Sequence, residues 1–217
     1  MKELANLLID FKDRILKDGR SSEFKQIARE KGFDFKFREK FADQAYAIKE
    51  FKLFKNKHAR RLRGIISREA DNGKARHRMY DFWTNNDMEE SKTTVIELYH
   101  QELRLSTFEI RPKRMIKWAK EIIGREQKQY EELASFNSFY EIIAGNPRNV
   151  THQLNETFLD AISTQKKIRV EGDGNYLLVY FKNKQIPIRE LMDIYDFALD
   201  LQELLLNPNS GSGEEYV

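Results

Sequence analysis

The sequence predicts an α+β fold with a mostly antiparallel sheet and flanking amphipathic helices. Three observations lead to this prediction. Apolar residues recur at helical spacing near both ends of the chain, and two glycine-containing turns each separate a pair of β-like segments. In addition, 40% of the 217 residues are hydrophobic and 12% are aromatic, which suffices for one large domain or two closely packed small ones.

The first forty residues predict two helices and a strand. Apolar residues at helical spacing over residues 4–15 indicate an amphipathic helix that ends at Gly19. A serine at 21 or 22 can cap a second helix, which Gly32 can close. Phenylalanines then alternate with charged residues over 33–37, which is typical of a strand with one apolar face.

The centre of the chain predicts four strands. Asp71-Asn72-Gly73 supplies the positive φ angles of a tight hairpin turn, so residues 62–70 and 74–84 are expected to pair antiparallel. A polar turn then leads to a strand over 93–99. A further strand over 103–110 is expected to end before a helix over 115–123.

The remainder of the chain repeats this order. It predicts a strand over 139–144, a helix over 150–162, a second hairpin from 167–171 and 175–182, and a closing helix over 191–205. Both parts therefore place strands before a helix, which would fit two similar halves.

A charge split divides the chain at residue 125. Residues 1–125 contain 30 Lys and Arg against 20 Asp and Glu, and the rest contains 8 against 15. We therefore expect a basic N-terminal α+β part over 1–125, an acidic α+β part over 126–206 packed on it, and a disordered tail over 207–217. A binding surface is expected on the basic part.

Composition excludes some chemistry. The chain contains no cysteine, so disulfides, thiolate metal sites and a cysteine nucleophile are excluded. The apolar run at the N-terminus is interrupted by charges, and no uninterrupted apolar stretch reaches about 18 residues. The sequence thus predicts a cytoplasmic location.

Three segments carry a resemblance to a known group of proteins. They are residues 106–112 leading into a helix, residues 136–145, and the hairpin over 170–181 before a leucine-rich helix. In order and spacing they resemble a broad family of uncharacterised bacterial proteins that share a strand ending in P-x-F-x-L-R-P, a later F-S-x-x-Y-x-L-x-G and a terminal hairpin and helix. The resemblance covers about residues 24–206, although the chain lacks the first proline of the first motif and has Ile110 where leucine is usual. Members often carry membrane-spanning helices beside this domain and have no established activity, so the resemblance implies the fold and no catalytic residues.

A run of cations without acids, over residues 52–63, predicts the binding surface, and cations of the first hairpin extend it. The predicted binding residues are Lys52, Lys55, Lys57, Arg60, Arg61, Arg63, Arg76, Arg78, Tyr80 and Trp83. We expect electrostatic binding of an acidic protein partner, or self-association, around an aromatic anchor. The alternative is nucleic-acid binding through residues 52–78, with phosphates neutralised by the cations. Peripheral membrane association stays open as well.

Catalysis is not predicted. His77 and Asp81 can share one face of a strand, and Glu97 or His100 would have to join them to form a metal or acid–base site. No metal-binding spacing, nucleophile motif, phosphate loop or dinucleotide fingerprint occurs. We therefore expect no enzyme activity, no metal and no cofactor.

Overall fold

A computed structural model describes residues 19–55, 57–86, 89–113, 136 and 139–208, and it has the predicted α+β fold. The strands are β1 (Asp34–Lys40), β2 (Arg61–Ala70), β3 (Ala75–Asn86), β4 (Glu89–His100), β5 (Leu105–Pro112), β6 (Tyr140–Ala144), β7 (Arg169–Gly174) and β8 (Tyr176–Tyr180). The helices are α1 (Gly19–Lys31), α2 (Tyr46–Lys49), α3 (Pro147–Gln153), α4 (Glu156–Ser163) and α5 (Ile188–Leu206). Short 3₁₀ turns occupy Phe41–Asp43 and Asp71–Gly73.

All these strands join one antiparallel sheet in the order β1-β2-β3-β4-β8-β7-β5-β6. The late β7–β8 hairpin lies between β4 and β5, because β8 pairs with β4 and β7 pairs with β5. Strands from both sides of residue 125 therefore share one sheet. The expected boundary at 125 and 126 lies outside the described residues.

The sheet has two differently covered faces. On the helix face, apolar residues such as Met79 and Val179 pack with α1, α3, α4 and α5 in the larger core. On the opposite side, here called the loop face, Leu62 and Leu178 pack with Phe41 and other residues of the segment 41–55. Because side chains alternate along a strand, neighbouring residues of one strand belong to opposite faces.

A β-bulge in β2 lets one short stretch of the strand contribute apolar side chains to the cores on both faces of the sheet. The register with β3 shifts between Arg63 and Ile66, and Gly64 has a φ of +59°. Leu62 and Ile65 consequently both join the loop-face core, whereas Ile66 joins the helix-face core. A side chain at Gly64 would also lie 3.2 Å from the Phe24 ring of α1, so glycine fits this position.

Most predicted elements are confirmed. The turn residues Asp71, Asn72 and Gly73 all have positive φ, as the hairpin prediction requires. Gly19, the first residue of this part of the chain that the structure describes, is already helical in α1. The predicted helices over 4–15 and 115–123, and the tail from residue 209, lie outside the described residues.

The helix predicted over 150–162 is two helices. Helix α3 ends at Gln153, and the side chain of Asn155 accepts a hydrogen bond from the Phe158 amide at 2.9 Å, which caps the start of α4. Apolar spacing continues through the break, so the periodicity alone concealed it. None of the helices within the described ranges is long and apolar enough to cross a bilayer.

Gly172 lies against the ring of its cross-strand partner Phe108. A Cβ atom at this position would lie 2.3 Å from that ring, which is buried in the core. We expect Gly172→Ala to lower the free energy of unfolding by about 1–3 kcal/mol, since the ring must move within a packed core. Urea unfolding measures this change.

The matched control is Gly145→Ala, because a Cβ atom at Gly145 meets nothing within 4 Å. Its free energy of unfolding should change by less than about 0.5 kcal/mol. Equal destabilisation of the two variants would contradict the tight approach at Gly172.

Candidate functional site

A row of buried acids crosses the loop face. Arg78, Glu97, Leu178, Glu171 and Glu109 lie directly opposite one another on β3, β4, β8, β7 and β5, so they project to the same side. The three glutamates are between 1% and 3% exposed. Buried carboxylates require compensating donors, and each of these has them.

Glu171 fixes the segment 41–55 to the sheet. Its carboxylate accepts hydrogen bonds from the backbone amides of Lys52 at 2.7 Å and Leu53 at 3.1 Å, and from the Tyr180 hydroxyl at 2.5 Å. Burial raises the pKa of Glu171 although these donors act to lower it. Burial and the nearby Glu171 charge also raise the pKa of the Tyr180 phenol. The segment is thus held by a desolvated carboxylate with three donors.

Glu97 organises the other end of the row. It accepts hydrogen bonds from the Tyr80 hydroxyl at 2.9 Å and from Arg78 Nη1 at 3.4 Å. Arg78 also donates to Gln44 at 2.5 Å and to Glu39 at 3.2 Å. Burial raises the pKa of Tyr80, so its phenol stays protonated as a donor. These groups form a closed internal network.

A basic cleft of about 220 Å³ opens beside this row. It is lined by Lys52, Leu53, Lys55, Lys57, Phe82, Thr84, Ser91, Thr93, Glu109, Arg169, Tyr180, Lys182 and Asn183. The lining contains five cationic side chains and one carboxylate, a formal net charge of +4. Glu109 contacts Lys52 at 3.0 Å and Arg169 at 2.8 Å, and Glu50 outside the lining pairs with Lys55 at 3.0 Å. A surplus of positive charge therefore faces the cleft.

Of the predicted binding residues, three lysines line the cleft: Lys52, Lys55 and Lys57. Arg60 lies on the same loop face, stacked over Phe41 at 4.5 Å and donating to the Phe54 carbonyl. Arg76 and Arg78 approach Glu97 on that face.

The expectation that all the predicted residues share one exposed surface is wrong. Arg61 and Arg63 lie opposite Trp83 and Asp81 on the helix face, because strand residues alternate between faces. Arg63 stacks on the Trp83 ring at 4.0 Å and Lys92 at 3.8 Å, so two cations already occupy that ring.

Burial corrects the expectation further. Tyr80 is 0% exposed and cannot act as an aromatic anchor, and Arg63 and Arg78 are buried. The absence of acids from the run 52–63 does not leave its cations without partners, because Lys52 and Lys55 contact carboxylates, and so do Arg76 and Arg78 of the hairpin. Those carboxylates are Glu39, Glu50, Glu97 and Glu109. All of them precede residue 125, so the basic part compensates much of its own charge.

Sequence reasoning missed the cations that the later strands bring to the cleft. Arg169 lies on β7 and Lys182 follows β8, within the part of the chain that is acidic overall. The spacing of Arg169 and Glu171 indicates a shared strand face. This spacing does not show that the face contacts β5 and the segment 41–55, because a local sequence pattern does not determine which distant strands pair.

The residues of the suggested histidine site do not all lie on one face of the sheet. His77 and Asp81 lie on the helix face, whereas Glu97 lies on the loop face with Tyr80. Asp81 accepts hydrogen bonds from Arg20 at 2.6 Å, Thr94 at 2.6 Å and Gln185 at 2.5 Å, which join α1 and the approach to α5 to the sheet. Among the residues that the structure describes, no group of three or more histidines and acids is arranged to hold a metal ion.

His77 is a buried neutral histidine. Its Nδ1 atom lies 2.7 Å from the Tyr195 hydroxyl of α5. Burial, with smaller effects from Arg68 and His100, lowers the pKa of His77 to about 4. The imidazole therefore links helix and sheet without carrying charge near neutral pH.

Comparison with known proteins finds similarity in fold. No protein-family model and no curated protein matches the chain. The chain is similar to the crystal structure of the mycobacterial trehalose monomycolate transport factor A, TtfA, with a TM-score of 0.53 and 12% sequence identity. The match covers 88% of this chain and 94% of that one. At this identity the likeness shows the fold alone.

We expect Glu171→Ala to lower the free energy of unfolding by about 3 kcal/mol, because two backbone amides and a buried phenol lose their acceptor. Hydrogen exchange gives the local readout, since the Lys52 and Leu53 amides should exchange faster. The exposed Glu23→Ala variant on α1 serves as the control and should change neither quantity. Unchanged protection of both amides in Glu171→Ala would contradict the assigned contact.

The buried His77 predicts a pH dependence of stability. The unfolded chain binds a proton at the ordinary histidine pKa of 6.5, whereas the folded chain binds it only near pH 4. The contribution of His77 is thus complete above pH 6.5 and is lost as the pH falls toward about 4, at up to about 1.4 kcal/mol per pH unit.

We expect the unfolding free energies of wild type and His77→Asn to diverge in this interval, with the wild type losing more on acidification. Urea unfolding of both proteins, at about pH 7.5 and about pH 5, measures the difference. Parallel pH profiles would show that the imidazole is not protonated differently in the two states.

Proposed function

We propose that this chain is a non-catalytic cytoplasmic protein that binds an acidic segment of a protein partner in the basic cleft. The observation that carries the proposal is the composition of the lining, with five cations from three separate segments around one carboxylate. Complementary charge accelerates association and disfavours wrong partners. The cysteine-free composition fits a reducing compartment.

The cleft lysines are accessible to a macromolecule. The side chains of Lys52 and Lys55 are 51% and 49% exposed, although each contacts a carboxylate. The Lys55–Glu50 pair is exposed on both sides and weak in water, so an incoming anion can replace it at little cost. Lys52 keeps its contact with the buried Glu109 and can bind an anion with its exposed side. Arg78 differs, since its side chain is 9% exposed and enclosed by Glu39 and Glu97.

The polar groups that suggested catalysis have structural partners. Asp81 is surrounded by Arg20, Thr94 and Gln185, and His77 contacts Tyr195. A general base needs access to a substrate proton, and these side chains are 3% and 6% exposed. Their arrangement supports a non-catalytic role.

The aromatic residues favour a protein partner over nucleic acid. Single-stranded nucleic acid binds by stacking bases on accessible rings. Tyr80 is buried, and Trp83 lies on the other face with Arg63 and Lys92 stacked on it. The cleft has the positive charge that phosphate contacts need, but the two aromatic rings predicted to stack on bases are not accessible in it.

We expect a short polyglutamate peptide to bind the wild-type chain at low salt and to bind Lys55→Gln/Lys57→Gln about tenfold more weakly. Two lost ion pairs of about 0.7 kcal/mol each account for this factor. Fluorescence anisotropy of a labelled peptide measures the affinity, which should fall as salt screens the charges.

The control variant is Lys25→Gln/Lys31→Gln on the exposed side of α1, which removes the same charge far from the cleft lining. If both double variants bound the peptide equally weakly, the loss of affinity would follow from the lower net charge alone. That result would contradict binding in the cleft. If a DNA or RNA oligonucleotide binds more tightly than the peptide, and only with Lys55 and Lys57 present, the nucleic-acid alternative replaces the proposal.

A further inference from the structure

Two cations of the cleft are oriented before any ligand arrives. Glu109, whose side chain is 3% exposed, contacts Lys52 Nζ at 3.0 Å and Arg169 Nη1 at 2.8 Å. One carboxylate thus directs two cationic groups at the edge of the cleft, and a positive surplus remains. Fixed donors bind an anion with less loss of side-chain entropy than mobile ones.

Buried hydroxyl groups add donors to the same cleft. Thr84 on β3 is 4% exposed and Thr93 on β4 is 2% exposed, and both line the cleft. Thr93 Oγ1 accepts a hydrogen bond from the Asn183 amide at 3.1 Å, so its own proton is left for another acceptor. Within the described part of the chain, no side-chain hydrogen bond satisfies the Thr84 hydroxyl. The Thr84 Oγ1 atom is not among the described buried side-chain atoms that lack a partner, so this hydroxyl is open to the cleft and can donate to a ligand there.

The chemistry of the lining selects its ligand. Lysine, arginine and threonine present donors, so the ligand must supply acceptors and negative charge. A phosphate monoester offers three acceptor oxygens and a charge of about −1.5 to −2, whereas a carboxylate offers two oxygens and a single charge. The volume of about 220 Å³ is below the range of roughly 300–1,000 Å³ for pockets that enclose whole small molecules. A single projecting group suits this space.

We infer that the cleft receives a phosphorylated serine or threonine side chain of the partner protein. This inference rests on the proposed binding function and specifies the group that is bound. Lys52 and Arg169, positioned by Glu109, would pair with the phosphate oxygens, and Thr84 and Thr93 would donate to them.

Three capped peptides of one sequence test the inference, with phosphoserine, glutamate or serine at the central position. Isothermal titration calorimetry is expected to show binding of the phosphoserine peptide at least about tenfold tighter than that of the glutamate peptide. Thr84→Val should weaken phosphopeptide binding by about tenfold, because the hydroxyl donor in the cleft lining is replaced by a methyl group of similar shape.

Two further variants separate the hydroxyl from packing and charge. Thr84→Ser keeps the donor and should retain most of the phosphopeptide affinity, and Lys25→Gln/Lys31→Gln should leave it unchanged. Equal loss in Thr84→Val and Thr84→Ser would contradict the donor role.

The outcomes separate this inference from the proposed function. Binding of glutamate and phosphoserine peptides with equal affinity, sensitive to Lys55 and Lys57, would overturn the phosphate inference and leave the acidic-partner proposal standing. Absence of binding by all peptides would overturn both. The chain could instead bind phosphatidylcholine vesicles that contain phosphatidic acid and not bind the phosphopeptide. That result would show that the bound phosphate belongs to a lipid, and it would overturn the inference of a phosphorylated partner protein.

Discussion

The buried carboxylate of Glu171 is the interaction on which the loop face depends. The segment 41–55 covers that face with helical turns of three and four residues, which are too short to be stable alone. Glu171 follows Lys52 by 119 residues in the chain, and its carboxylate accepts a hydrogen bond from the Lys52 backbone amide. By anchoring this backbone it places the lysines at 52, 55 and 57 beside Arg169. The cleft therefore exists because a desolvated acid holds the covering segment, and its cost in burial is offset by three donors.

The fold was largely predictable because its elements carry local signals. Asn72-Gly73 fixed a hairpin, and apolar spacing indicated α1 and α5. These signals failed where the apolar spacing continues across the junction of two helices, as at Asn155, which caps the start of α4. Strand order was not predictable, since nothing local in β4 indicates that its partner is β8 and not β5.

The cleft was predictable only in part. The acid-free run beginning at Lys52 identified three of its cations, while strand alternation and the bulge at Gly64 sent Arg61 and Arg63 to the other face. Tyr80 looked like an exposed aromatic because its buried partner Glu97 lies on another strand. Arg169 joined the cleft through sheet pairing alone. Residue type therefore predicts which groups can bind, and only the tertiary structure decides which of them meet.

The insertion of the β7–β8 hairpin between β4 and β5 also bears on biosynthesis. When His100 emerges from the ribosome, the side of β4 that will pair with β8 has no strand to receive it until Tyr180 follows, 80 residues later. Translation at about 5–20 residues per second makes this interval several seconds long. The open edge over Val95–Tyr99 contains three apolar residues that are buried in the finished sheet. The nascent protein is therefore open to wrong pairing at this edge during the interval between the synthesis of β4 and that of β8.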